Sequence, residues 1–101
     1  MVVTVALFEI HIPHAQSLKE KRMVVKSLRD RLRHRFEMSV GEVAYQDLHQ
    51  RARLGFSFVT LDHTAAEANL ERIRGFVESN TDAVVTAWMA EKLDFDASAQ
   101  I

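Results

Sequence analysis

The sequence contains no cysteine, one proline and only three glycines among its 101 residues. A chain without cysteine has no disulfide framework and no thiolate metal site, which is typical of a cytoplasmic protein. No apolar run approaches the ~20 residues that a membrane-spanning helix needs. The N-terminus also lacks the basic, apolar and small-residue regions of a signal peptide. We therefore expect a cytoplasmic protein with no membrane segment.

The sequence also lacks the patterns that mark common active sites. It has no glycine-rich phosphate loop, no arrangement of serine, histidine and aspartate, and no helical His-Glu motif. Glu9, His11 and His14 are of types that bind metals, but their spacing matches no metal motif, so we interpret these histidines as surface residues. We predict no catalytic residue, no cofactor, no metal and no small-molecule substrate, and thus a protein that is not an enzyme.

What is present indicates one globular domain. Hydrophobic residues make up 48% of the chain and charged residues 27%, which suits a core with a solvated surface. At this length there is room for a single core. We predict one domain over residues 1–93 and a loose C-terminal tail over residues 94–101.

The pattern of apolar residues predicts the order β-α-β-β-α-β. The strands are expected at residues 1–12, 38–45, 51–61 and 83–90. Ser17 and Glu20 form a capping box before a helix over residues 18–36. The second helix is expected to begin after an N-cap at Asp62 or Thr64 and to end at Asn80. This order predicts a ferredoxin-like α+β fold, a four-stranded antiparallel sheet with two helices on one face.

The alternation of apolar and charged residues along the strands predicts which face of the sheet is buried and which is open. In the first strand, Phe8 faces opposite to Glu9, and the charged face is expected to be open to solvent. The same phase places Phe56 and Phe58 beneath the helices. The stretch Gly55–Val59 is similar to the aromatic motif of RNA-recognition domains, in which the aromatic side chains stack on bases. Because the alternation buries them here, we interpret this similarity as coincidental.

Charge is divided unevenly along the chain. Residues 1–53 carry a net charge of +4 and residues 54–101 a net charge of −5. Most of the basic excess forms a stripe on the first helix, consisting of Lys19, Arg22, Lys26, Arg29 and Arg33. Like charges four residues apart cost an isolated helix about 0.2–0.5 kcal/mol per pair. A stripe that retains such pairs indicates an anionic partner, of which RNA phosphate is the commonest.

The stripe has a purely structural alternative. Glutamates on the second helix could neutralise it through interhelical ion pairs, namely Glu67, Glu71 and Glu78. If the stripe instead binds nucleic acid, Arg51 and Arg53 of the third strand are expected to be outlying contacts.

The open face of the sheet is expected to carry an apolar patch. Its predicted members are Val3, Val5, Val59, Leu61 and Trp88. Such a patch is unusual on the surface of a monomer, and most soluble oligomers are symmetric assemblies of one chain, so we predict self-association through it. The alternative is that the C-terminal tail covers the patch, for instance with Phe95.

Two blocks of the sequence resemble the bacterial YlxP-like family, a domain family of unknown function. The blocks are residues 17–22 (Ser-Leu-Lys-Glu-Lys-Arg) and residues 46–52 (Gln-Asp-Leu-His-Gln-Arg-Ala), followed by Leu54-Gly55. The resemblance extends over about residues 2–90 and implies a ferredoxin-like fold. Genes of this family often neighbour those for translation and ribosome-maturation factors, which implies an RNA connection by association alone. The family provides no catalytic residues to transfer.

Taken together, these features predict a small binding protein associated with RNA or the ribosome through the basic helix. The alternative is a homo-oligomeric protein-interaction module with no nucleic-acid role, in which the charges are structural.

Overall fold

The fold was analysed in a computed structural model, which describes residues 1–79 and 82–101. The elements are β1 (Val2–His11), α1 (Leu18–Arg35), β2 (Ser39–Ala44), β3 (Arg51–Thr60), α2 (His63–Glu78) and β4 (Val84–Asp94). The strands form one antiparallel sheet in the order β2-β3-β1-β4. The predicted ferredoxin-like α+β fold is confirmed. Asn80, the predicted end of the second helix, lies outside the described residues.

Side-chain caps fix where the helices begin. At α1, the Ser17 hydroxyl accepts a hydrogen bond from the Glu20 amide at 3.1 Å, and the Glu20 carboxylate accepts one from the Gln16 amide at 2.7 Å. At α2, the Asp62 carboxylate accepts from the Ala65 amide at 2.8 Å. Asp62 is therefore the N-cap of α2, which resolves the choice that the sequence left open. The bonds from the Glu20 and Ala65 amides satisfy backbone donors that the first helical turns cannot pair internally.

The core lies between the helices and one face of the sheet. Phe8, Phe56 and Phe58 are all buried, as predicted, with Phe8 fully enclosed. The Phe8 and Phe56 rings lie 6.1 Å apart at an angle of 55°. The helices contribute a buried apolar stripe each, consisting of Val25, Leu28 and Leu32 on α1 and Ala66, Ile73 and Val77 on α2. The other face of the sheet carries neither of the two described helices and is open.

The prediction that Trp88 lies on the open face is wrong. Its indole stacks on Phe8 at 5.5 Å, so Trp88 belongs to the core side. The cause is a β-bulge in β4, where Trp88 pairs with Phe8 but Val85 pairs with Ile10. A bulge adds one residue and shifts the alternation of the strand, so both Val85 and Trp88 pack inward. Met89 takes the open-face position instead and is exposed.

The strand β4 is also longer than predicted. It pairs with β1 along its whole length, from Val84 opposite His11 to Asp94 opposite Val2. The amide of Phe95 then donates to the carbonyl oxygen of Met1 at 2.9 Å. Residues 91–94 therefore belong to the sheet, because pairing with β1 outweighs their polar character.

One buried lysine ties α1 to the connection between β2 and β3. Lys21 is fully buried, and its Nζ lies 2.6 Å from a carboxylate oxygen of Glu42. The same Nζ donates to the carbonyl oxygen of Tyr45 at 2.6 Å and is 3.4 Å from that of Gln46. A buried charge is tolerated only when it is paired and hydrogen-bonded, and Lys21 meets both conditions.

We predict that Lys21→Met destabilises the fold by about 3–5 kcal/mol, because it leaves a partly buried carboxylate and two carbonyl groups without their donor. The methionine retains the apolar stem, so packing alone does not account for the loss. Urea denaturation followed by circular dichroism measures the change. Lys19→Met, at an exposed position two residues away, is the matched control. Equal stability of the two variants would contradict the structural role of Lys21.

Candidate functional site

The five basic residues predicted on α1 form one continuous surface, which we call the basic flank (Lys19, Arg22, Lys26, Arg29 and Arg33). Its orientation is fixed by contacts at the end of the helix. The Arg33 guanidinium donates to the carbonyl oxygen of Val40 in β2 at 2.8 Å. On the other side of α1, the guanidinium of Arg35 lies 5.4 Å from the ring centre of Phe76 in α2. The basic flank therefore faces the β2 edge of the sheet and points away from α2.

This orientation separates the basic flank from the glutamates of α2. Within residues 1–79 and 82–101, no ion pair joins the two groups. Glu67 pairs with Lys92 of β4, and Glu78 pairs with Arg74 of its own helix at 2.7 Å. The interhelical neutralisation considered from the sequence is thus absent from the described part of the chain.

The members of the basic flank differ in their solvent exposure and in whether they have a charged partner. Lys19 and Arg22 are exposed and have no charged partner among the described residues. Lys26 is 69% exposed and pairs with Asp30 at 2.7 Å; this hydrogen bond lowers the pKa of Asp30. Arg29 is half-buried, and its Nε has no hydrogen-bond partner among the described atoms. With Asp30 included, the surface keeps a clear positive excess.

A second charged group lies on the open face of the sheet, and we call it the Glu9 cluster (Glu9, Tyr45, Arg51, Arg53 and Thr86). The buried Glu9 carboxylate accepts from Arg51 at 2.9 Å, from Arg53 at 3.0 Å and from the Thr86 hydroxyl at 3.3 Å. Hydrogen bonds from Arg51 and then Arg53 lower the pKa of Glu9. Two arginines and one carboxylate leave this group with a net charge of +1.

Tyr45 completes the Glu9 cluster through an unusual backbone conformation. Its φ of 65° is left-handed, which costs a residue other than glycine about 1–2 kcal/mol. The guanidinium carbons of Arg51 and Arg53 lie 4.4 and 5.0 Å from its ring centre, and its hydroxyl accepts from Arg53 at 3.2 Å. The bond from Lys21 to the Tyr45 carbonyl group helps to hold this conformation.

The structure thus brings together only part of the predicted nucleic-acid set. The five residues of α1 share one surface, whereas Arg51 and Arg53 lie on the opposite side of the sheet. Sequence reasoning did not find Tyr45, because a positive φ has no signal in a non-glycine residue. The pairing of Glu9 with Arg53 could have been predicted from the sequence, because the two residues lie opposite each other when β1 and β3 are aligned as antiparallel strands.

The far end of the open face is apolar, and we call it the apolar end. Val5, Val59 and Leu61 are exposed there, Leu61 to 85%, and Val3 is half-buried. The exposed side chains of Met89 and Leu93 extend it. The tail does not cover this surface, because Val59, Leu61 and Phe95 are all left exposed.

No group of three or more His, Asp or Glu side chains is positioned to hold a metal ion in residues 1–79 and 82–101. No helix in the same ranges has the length and apolar character needed to cross a membrane.

Comparison with known proteins identifies a family of unknown function. Residues 3–89 match the family described as "Protein of unknown function (DUF503)". The uncharacterized protein YlxP of Bacillus subtilis is 38% identical over 71 residues, covering 70% of this chain and 77% of YlxP. A crystal structure of At3g17210 from Arabidopsis thaliana aligns over 97% of this chain and 99% of its own, with 15% identity and a TM-score of 0.45.

We predict that Glu9→Gln lowers stability in a pH-dependent manner. The pKa of Glu9 is below its usual 4.5 in the folded protein, so its ionised form stabilises the fold above that pH. The difference in unfolding free energy between wild type and variant should be largest near neutral pH. It should shrink as the pH falls through the folded-state pKa of Glu9.

Urea denaturation at several pH values between about 7 and 3 tests this dependence. Glu91→Gln removes an exposed carboxylate from the same face of the sheet and is the matched control. A difference between wild type and Glu9→Gln that stays constant over this range would contradict the prediction.

Proposed function

The chain belongs to the DUF503 family of proteins of unknown function, and from that starting point we propose that it is a non-enzymatic protein that binds RNA through the basic flank. The orientation of the basic flank carries this proposal. Its charges face outward at the β2 edge, away from the glutamates that would otherwise neutralise them. A polyanion supplies the missing countercharge.

The energetics of α1 support the same conclusion. The pairs Arg22/Lys26 and Arg29/Arg33 place like charges one turn apart, at a cost of about 0.2–0.5 kcal/mol each. Among the described residues of α1, only Asp30 offsets them through a hydrogen bond, and it does so for Lys26 alone. RNA is favoured over other polyanions because genes of YlxP-like proteins neighbour those of translation factors, which also makes a ribosomal particle a natural partner.

The spacing of the charges suits a phosphodiester backbone. Successive members of the basic flank are three or four residues apart, which corresponds to about 4.5–6 Å along the helix axis. A straight row of cations contacts backbone phosphates and does not read base edges. The binding proposed here is therefore independent of RNA sequence and sensitive to salt.

We predict that replacing Lys19, Arg22 and Lys26 by Gln weakens RNA binding equally for all sequences. Removing three phosphate contacts should flatten the dependence of log K on log salt by about two units. Fluorescence anisotropy with labelled RNA at several salt concentrations gives both quantities.

A control triple variant keeps the change in net charge but alters other surfaces: Arg31→Gln, Arg72→Gln and Arg74→Gln. It should bind RNA with nearly wild-type affinity. Equal losses in the two triple variants would show that only net charge matters, and an RNA affinity that does not change with salt would refute the proposal.

A second property is proposed for the apolar end, which is self-association of two copies of this chain. The specific observation is that exposed apolar side chains cluster on a sheet face that no described element covers. This surface lies at the opposite end of the face from the Glu9 cluster.

We expect Val5→Asp to shift the protein toward monomer in analytical ultracentrifugation, because it places a charge in the middle of the apolar end. Thr60→Asp, at a half-buried position that pairs with the end of β1, provides a control for general destabilisation of the sheet. A wild-type protein that remains monomeric at high concentration would exclude self-association.

A further inference from the structure

We propose that the RNA is single-stranded and passes from the basic flank around the β2 edge onto the open face, where Arg51 and Arg53 bind it. This inference rests on the proposed function and adds the class of RNA and its path. It follows from the positions of two groups of arginines that lie on opposite sides of the same sheet.

Only one strand separates the two groups. β2 is an edge strand of six residues, and its inner neighbour β3 carries Arg51 and Arg53. On the helix side, Arg33 reaches β2 and bonds to the carbonyl oxygen of Val40. A ligand held along the basic flank therefore arrives at the edge and needs to turn around a single strand, about 5 Å wide. Because Val40 pairs with Phe56, the ligand then follows β3 for three residues to reach Arg53.

A groove marks this turn. A cavity of about 430 Å³ is lined by Arg33 from α1 and by residues of the sheet, including Ser39, Gly41, Gly55 and Ser57. Gly41 and Gly55 stand opposite each other in β2 and β3. A Cβ at Gly41 would have no heavy atom within 4 Å, so the backbone there is open to close approach. Apolar residues, among them Val5, Met38 and Val40, complete the lining, and the Val43 side chain lies next to Gly55. The groove thus forms a shallow passage of mixed polarity from the edge onto the open face.

The sharp turn determines the class of RNA. A nucleic-acid duplex is stiff over about 150 base pairs, so it cannot fold around the edge of one strand. A single strand is flexible enough to contact both surfaces. A duplex bound along the basic flank would not reach the Glu9 cluster.

The Glu9 cluster can bind a phosphate although its arginines are already engaged. Arg51 is 46% exposed, and its contact with Glu9 uses Nη2. A guanidinium has five N–H donors, so others remain for an anion. Glu9 holds the two guanidinium groups in place and also cancels one of their charges. Removing that negative charge should therefore strengthen phosphate binding.

The test compares a labelled oligouridine with the same strand annealed to its complement, using fluorescence anisotropy at low salt. We expect wild-type protein to bind the single strand about tenfold more tightly, as one additional charge-assisted contact would provide. Arg51→Gln should weaken single-strand binding and leave duplex binding unchanged. Glu9→Gln should have the opposite effect on the single strand and steepen its salt dependence by about 0.7.

A steric variant tests the path without altering any charge or the Glu9 cluster. Gly41→Val fills the groove with a residue that suits a strand, and it should weaken binding of the single strand alone. Arg31→Gln, on the other side of α1, is the control for a lost charge. Thermal unfolding of each variant confirms that the fold is retained.

The outcomes separate this inference from the proposed function. Equal binding of single strand and duplex, sensitive to Arg22→Gln but not to Arg51→Gln or Gly41→Val, would overturn the path and leave RNA binding by the basic flank intact. The absence of binding to either nucleic acid would overturn both. A Glu9→Gln variant that binds the single strand less tightly while remaining folded would also contradict the path.

Discussion

The ammonium group of Lys21 connects the parts of the molecule on which its surface depends. It lies on the first turns of α1 and reaches across to Glu42 in β2 and to the carbonyl groups of Tyr45 and Gln46. The direction of α1 relative to the β2 edge follows from this attachment. The left-handed backbone of Tyr45, which presents its ring to the arginines of the open face, depends on it as well.

The same attachment brings together the two sequence blocks that resemble the family. Residues 17–22 and 46–52 are far apart in the chain but adjacent in the fold. Besides the Lys21 contacts, the Gln50 side chain donates to the carbonyl oxygen of Ala15 at 3.2 Å, and the Ile12 amide donates to that of Gln50 at 2.9 Å. The blocks therefore specify one junction, where the chain enters α1 and passes from β2 to β3. A rigid junction holds both proposed RNA-contacting groups at a fixed separation.

The sequence correctly predicted the buried face of those elements in which the spacing of apolar residues is regular from end to end. The alternation in β1 and β3 correctly buried Phe8 and Phe56, and the capping box of Ser17 and Glu20 correctly located the start of α1. The prediction failed at Trp88 because a single extra residue in β4 reverses the alternation, and the sequence gives no sign of where that residue falls. The alternation in β3 also predicted Arg51 and Arg53 on the open face, because they are out of phase with Phe56 and Phe58, and the structure places both arginines there beside Glu9.

The contact between Arg33 and Val40 has a consequence for the edges of the sheet. An edge strand with free backbone groups is a template for pairing with another chain, and proteins protect such edges with short strands and charged side chains. β2 has six residues and an arginine bonded to one of its carbonyl groups, whereas β4 has eleven residues along the other edge. The two edges are therefore unequally protected. If partly unfolded molecules aggregate, strand addition should begin at β4, and the surface proposed to bind RNA should remain free of it.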